Sequence, residues 1–151
     1  MPLPDQAQPG HYFQPYFTAR AESLQDRDHG VADALEPMYS FWSNFLVTNF
    51  NPSMYNEFRD LAVEDQARGD DAGFQHLLTF YGGTLKAMQA PITPQVATDM
   101  ITFLRKEDDD ARPMFRTLRQ AWRNGALNLK SRKRIQDNLN DEEKAQFDRN
   151  G

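Results

Sequence analysis

A weak internal repeat constrains the fold of this chain more than any other feature. Aromatic-led blocks resemble one another at Phe41–Leu46, Phe80–Leu85 and Ala121–Leu127. Their first residues lie 39 and 41 residues apart, and no segment has a strand pattern. A period near ~40 residues without strands is typical of paired helices stacked as a short solenoid. Because such a stack presents an extended surface, the repeat favours a binding function over catalysis.

Apolar spacing predicts the helices that would build this repeat. The clearest one has a buried face at spacings i, i+3, i+4, i+7 and i+8, formed by Met38, Phe41, Trp42, Phe45 and Leu46. Similar stripes predict further helices around residues 13–24, 52–68, 71–89, 94–104 and 115–124, and a short seventh helix after Ser131.

Cap residues support these helices. Asn51-Pro52 and Thr93-Pro94 each combine an N-cap residue with a proline that suits the first helical position. Asn140 and Glu143 predict a capping box for a final turn or two around Phe147. Because the connections are short, neighbouring helices should be antiparallel. The sequence therefore predicts an all-α fold of three stacked antiparallel helix pairs plus a short C-terminal helix.

Length and composition predict one domain over residues 11–151, preceded by a polar, proline-containing, disordered lead-in over residues 1–10. The chain has no cysteine, which excludes disulfides and thiolate zinc sites. No apolar run approaches the roughly 20 residues that span a bilayer, so no membrane contact is expected. We expect a monomer.

Catalytic patterns are absent from the sequence. Its histidines, His11, His29 and His76, are widely separated, and no phosphate-binding loop or nucleophile elbow occurs. The acidic clusters Glu64-Asp65, Asp70-Asp71 and 108–110 lack the spacing of a calcium loop and are interpreted as solvated helix ends and turns. The whole run 107–110 is interpreted as a solvated turn. We therefore predict no enzyme activity, no metal and no cofactor.

Charge is concentrated in one segment. The whole chain has a net charge of −5, whereas residues 105–134 contain 10 basic and 4 acidic residues. Four arginines follow one helical face at i, i+4, i+7 and i+11, and more cations come soon after. Arginine matches phosphate in a bidentate fork. The predicted nucleic-acid-binding residues are Arg112, Arg116, Arg119, Arg123, Lys130, Arg132, Lys133 and Arg134, with Trp122 beside the row.

Other interpretations of these residues remain open. The basic segment also fits an ordinary solvated helix face. Trp42, Tyr81 and Trp122 fit either base-stacking platforms or core residues, and Trp122 is the one nearest the arginines. The pair Gly82-Gly83 within a helix indicates either a close approach, of a neighbouring helix or of a ligand, or a kink, and helix–helix contact is the favoured interpretation.

A family resemblance adds to this reading. The segment Met38–Leu85 resembles the C-terminal HEAT-like repeat module of La-related protein 1, and helix spacing stays compatible from His11 to Leu139. The matching residues are Phe41-Trp42-Ser43, Phe45-Leu46, Phe50-Asn51, Met54-Tyr55, Glu57-Phe58, Leu61-Ala62 and Glu64-Asp65. The resemblance implies a HEAT-like solenoid within a longer cytoplasmic RNA-binding protein that regulates messenger RNA translation and stability. Animal members bind the 7-methylguanosine cap.

The residues of that cap pocket differ here. The resemblance places Ser40 and Asn44 where the family has an arginine and an aromatic residue, Gly83 where it has a stacking tyrosine, and Lys86 where it has a glutamate. A further family tyrosine falls near Trp122 or Arg123. One lost aromatic wall removes roughly 1–3 kcal/mol of stacking, and a lysine offers only donors to the guanine edge. We therefore expect weak or absent cap binding.

The resulting expectation is a non-catalytic module that binds the phosphates of RNA through its basic face, with weak or no recognition of the cap. The alternative is a protein-interaction scaffold that recruits translation or mRNA-decay factors through its helical-repeat groove.

Overall fold

The computed structural model describes residues 13–87, 90–108, 110–125 and 127–149. These residues form α-helices and no strand, so the all-α prediction is confirmed. The predicted lead-in over residues 1–10 lies outside the described residues. The helices are α1 (Phe13–Asp28), α2 (Glu36–Thr48), α3 (Pro52–Ala67), α4 (Ala72–Lys86), α5 (Pro94–Lys106), α6 (Pro113–Asn124), α7 (Leu129–Gln136) and α8 (Asp141–Asp148). In this part of the chain, none is long and apolar enough to cross a bilayer.

The predicted helix starts are confirmed by their caps. The side chain of Asn51 accepts a hydrogen bond from the amide of Met54 at 3.0 Å, and Thr93 caps α5 in the same way. Asn140 and Glu143 form both hydrogen bonds of a capping box. This box begins α8, an eight-residue helix of about two turns that contains Phe147, so the predicted final turns are confirmed.

The fold divides into two compact units, Met1–Leu77 and Leu78–Gly151, and the division falls within α4. Large apolar side chains are fully buried in each unit. They include Met38, Trp42, Tyr55 and Phe58 in the first unit and Phe80, Tyr81, Met100 and Phe147 in the second. The prediction of one domain over residues 11–151 stays a prediction.

Ion pairs within each unit reflect the period of the repeat. In the first unit, Arg20 on α1 donates two hydrogen bonds of 2.6 Å to Glu57, which lies 37 residues later on α3. In the second, Arg105 on α5 pairs with Glu143 on α8 at 2.8 Å, 38 residues later. The hydrogen bonds from Arg105 lower the pKa of Glu143 below its usual value. Residues about one repeat apart in sequence therefore meet in space.

The interpretation of Glu64-Asp65 as a solvated helix end is wrong for Asp65. The residue Asp65 is only 9% exposed. It accepts a 2.6 Å hydrogen bond from the hydroxyl of Tyr39 and pairs with the guanidinium of Arg27 at 3.0 Å. Burial, followed by the hydrogen bond to Asp65, raises the pKa of Tyr39. The network joins α1, α2 and α3. Its hydrogen bonds and ion pair offset the free-energy cost of burying the charge of Asp65.

At Gly82 the structure shows contact with a neighbouring helix, but no approach tight enough to require glycine. A Cβ atom built at Gly82 would lie 3.8 Å from Cγ2 of Thr117, an ordinary contact. At Gly73, by contrast, an added Cβ would lie 2.5 Å from the ring of Tyr39. Close packing therefore requires glycine at position 73, where the ring of Tyr39 crosses α4.

Candidate nucleic-acid interface

The predicted arginine row lies along α6 in the second unit. Arg112, Arg116, Arg119 and Arg123 line one groove of about 610 Å³. The other lining residues come from the same helix and the turn before it: Asp110, Ala111, Phe115, Gln120 and Asn124. The helical spacing read from the sequence thus brings four of the predicted residues into one concave site. We call these four residues the arginine row and the site the α6 groove.

The start of α6 is fixed by an acidic side chain that the sequence analysis interpreted as part of a solvated turn. The carboxylate of Glu107 accepts hydrogen bonds from the amides of Met114 at 2.6 Å and Phe115 at 3.0 Å. These amides belong to the first turn of α6, where no intrahelical acceptor exists. The interpretation is therefore wrong for Glu107, which caps the helix that carries the arginine row.

Arg112 occupies the N-cap position of α6 with an unusual backbone. Its φ of 43° is in the left-handed region, which non-glycine residues seldom adopt. Its guanidinium lies 4.1 Å from the centroid of the Phe115 ring, a cation–π contact. Arg112 is thereby held at the mouth of the α6 groove.

Two other arginines of the row contact the end of α8. Arg119 and Arg123 both donate hydrogen bonds to the backbone carbonyl of Arg149, the latter at 3.0 Å. Arg149 is the C-cap residue of α8 and has extended backbone, so these hydrogen bonds join α6 to the end of α8. Within the described residues, the side chain of Arg116 makes no hydrogen bond or ion pair and is exposed.

Trp122 is a core residue rather than an exposed platform. It is 6% exposed. The guanidinium of Arg132 lies 3.8 Å from its ring centroid, and the ring of Phe147 lies 5.6 Å away. Its indole N–H donates to Asp148 at 3.1 Å. A base could stack on Trp122 only after Arg132 or Phe147 had moved, so the structure favours the core reading.

The other four cations predicted to bind nucleic acid lie outside the α6 groove. They are Lys130, Arg132, Lys133 and Arg134. Arg132 also donates to the carbonyl of Trp122 at 3.1 Å, and Arg134 donates to the carbonyl of Ile92. Lys133 pairs with Asp137 at 3.3 Å on the exposed face of α7, where Lys130 is also exposed. Arg132 and Arg134 thus fasten α7 to its neighbours in the second unit. Phosphate binding by this group stays a prediction.

The positions that the resemblance assigns to a cap pocket can be placed one by one. Ser40 and Asn44 are exposed on α2, and the amide of Asn44 donates to the carbonyl of Ser40 at 2.8 Å. On α4, Gly83 is half-buried and Lys86 is exposed in the last turn. None of these four residues supplies a ring. Among the described residues, no group of three histidine or acidic side chains is arranged to hold a metal ion.

Sequence reasoning did not identify Glu107, Phe147 and Asp148 as parts of the site. Each acts on α6 from another segment, and only the position of Phe147 within α8 was signalled, by the capping box at Asn140.

Comparison with known families agrees with this architecture. The family model for the LARP1 HEAT repeat region matches residues 6–147. The match covers all eight helices except the last residue of α8. The helix order, the repeat of about 40 residues and this match lead to one conclusion: the chain belongs to the LARP1 HEAT repeat region family.

Proposed function

We propose that this helical repeat module binds single-stranded RNA through phosphate contacts in the α6 groove, as part of a cytoplasmic regulator of mRNA translation or stability, and does so without recognising a cap. The observation that carries the proposal is the convergence of four arginines on one groove of about 610 Å³. Guanidinium groups bind phosphate oxygens through paired N–H donors. A groove of this size accommodates a nucleotide or two of an extended strand.

The charges around the groove support this proposal. Asp110 is the one acidic residue among the groove's lining residues. Arg112 and Arg119 are held by neighbouring groups, so part of their side-chain entropy is already lost before a ligand arrives. Strained backbone such as that of Arg112 is concentrated at functional sites in proteins.

The absence of cap recognition rests on the four replaced positions. An exposed lysine at position 86 repels a positively charged methylated base, and glycine at position 83 offers no ring for stacking. RNA would then be held by its backbone alone, with affinity set by charge rather than by its 5′ end.

A titration at two salt concentrations tests this function. Four phosphate contacts on a single strand give a slope of log affinity against log salt of about −2.8, or about a 50-fold loss between 50 and 200 mM salt. We expect capped and uncapped RNA of one sequence to bind within about threefold of each other, because phosphate contacts ignore the 5′ end. Submicromolar binding of a cap analogue, or RNA affinity that salt does not change, would contradict the proposal.

A second candidate, a protein-interaction scaffold, is favoured by one observation in the first unit. Phe17 is 52% exposed beside a groove of about 360 Å³ that Tyr16, Met54 and Glu57 also line. An apolar contact of this kind would respond weakly to salt. The same titration therefore separates the two candidates when translation or decay factors replace RNA as the ligand.

A further inference from the structure

Helix α8 is bound to the arginine row by its last turn. Phe147, 1% exposed, packs its ring between Phe115 at 5.3 Å and Trp122 at 5.6 Å. Asp148 accepts the indole N–H of Trp122 at 3.1 Å. The carbonyl of Arg149 accepts hydrogen bonds from two arginines of the row. The last two residues of α8 and its C-cap residue Arg149 thus contact the helix that lines the groove.

These contacts bear on the groove because they use its own arginines. A guanidinium has five N–H donors, and the carbonyl of Arg149 takes one from Arg119 and one from Arg123. The carbonyl is uncharged, so these two hydrogen bonds do not neutralise the positive charge of either side chain. An ordered arginine binds phosphate more tightly than a free one, because less rotamer entropy is lost on binding.

The geometry points to α8 as the positioning element of the RNA site. When its last turn is docked on α6, the carbonyl of the next residue, Arg149, holds Arg119 and Arg123 in the orientation in which they meet phosphate. Phe147 and Asp148 are positioning residues that act through α6 and touch no RNA themselves. This role rests on the proposed function of the α6 groove, and it goes beyond that function by coupling RNA affinity to the docking of a separate helix.

The sharpest test compares two substitutions at one residue. Asp148→Asn and Asp148→Ala both remove one negative charge, but asparagine keeps an oxygen that can accept the indole N–H of Trp122. Their electrostatic effect on RNA is therefore the same. We expect Asp148→Ala to bind a short uncapped single-stranded RNA about threefold more weakly than Asp148→Asn, since the loss of one hydrogen bond loosens the last turn of α8.

A larger change tests the same role. Phe147→Ala removes the ring that seats α8, and we expect RNA affinity to fall about tenfold because two arginines must then be ordered on binding. Leu85→Ala, in the fully buried core of the same unit on α4, is the control for a general loss of stability. It should leave RNA affinity nearly unchanged. The salt slope of Phe147→Ala should stay that of the unmodified protein, because no cation has been removed.

The outcomes separate this role from the proposed function. If Phe147→Ala binds RNA as tightly as Leu85→Ala, or more tightly, or if the two Asp148 variants bind equally, α8 does not position the row. If in addition Arg116→Glu has no effect on RNA affinity, the α6 groove itself is not the RNA site. Circular dichroism and the indole N–H signal of Trp122 in NMR spectra confirm which variants keep their fold and which have undocked α8.

Discussion

Reversing the charge of the arginine row should abolish RNA binding by the protein. Replacing Arg112, Arg116, Arg119 and Arg123 with glutamate is expected to weaken the affinity for single-stranded RNA at least about 100-fold at low salt, because four attractive phosphate contacts become repulsive. The slope of log affinity against log salt should fall from about −2.8 to near zero. Fluorescence anisotropy at 50 and about 200 mM salt measures both quantities.

A control with the same net charge shows whether position matters. Replacing Arg68, Lys86, Lys106 and Lys144 with glutamate also exchanges four cations for four carboxylates, at sites outside the α6 groove. This control should keep most of the RNA affinity and most of the salt slope. Equal losses of RNA affinity in the two variants would show that the affinity depends on net charge alone. That result would contradict RNA binding in the α6 groove.

A single substitution guards against damage to the fold. Within the described part of the chain, the side chain of Arg116 makes no hydrogen bond or ion pair. Arg116→Glu should therefore leave stability unchanged while lowering RNA affinity about tenfold, a share of the effect of the whole row. Unaltered affinity in this variant would count against the groove.

The largest effect on stability is expected from Asp65→Ala. The substitution removes the acceptor of the buried hydroxyl of Tyr39 and leaves the guanidinium of Arg27 with only its longer contact to Glu64. Removing one partner of a buried ion pair costs about 3–5 kcal/mol. Because the side chain of Arg27 keeps 15% of its exposure, we expect a loss near the lower limit, about 3 kcal/mol.

The neighbouring acid provides the control. Glu64 contacts the same guanidinium at 3.4 Å, but its side chain is 56% exposed. Glu64→Ala should cost less than about 1 kcal/mol, as exposed pairs do. Urea unfolding followed by the fluorescence of Trp42, in a Trp122→Phe background, reports on the first unit. A loss below about 1 kcal/mol for Asp65→Ala would mean that the network does not hold α1, α2 and α3 together.

Local patterns were enough to predict the helices and the arginine row from the sequence. The stripe through Trp42 and Leu46, the caps at Asn51 and Thr93, and the spacing of the arginines by three or four residues are all properties of neighbouring residues. Each of these patterns lies within one helix, so it can be recognised in the sequence without knowledge of the fold.

The contacts that the sequence did not reveal join distant segments. Nothing near Asp65 in sequence shows that Arg27 and Tyr39 will surround it, and nothing near Glu107 shows that it will cap α6. Asp65 and Glu107 looked like solvated acids because their partners lie on other helices or beyond a turn. Gly73 likewise acquires its importance from the ring of Tyr39, 34 residues earlier in the chain. In each case the packing of helices decides the role of the residue.

Mapping bound RNA onto the protein by NMR is the most direct test of whether RNA binds in the α6 groove. A short uncapped single-stranded RNA would be titrated into uniformly ¹⁵N-labelled protein, and backbone and arginine side-chain signals followed. We predict that the largest chemical-shift changes lie along α6, from Arg112 to Asn124, and that they become smaller as the salt concentration is raised. Largest shifts at Ser40, Asn44 and Lys86, with α6 unchanged, would contradict it.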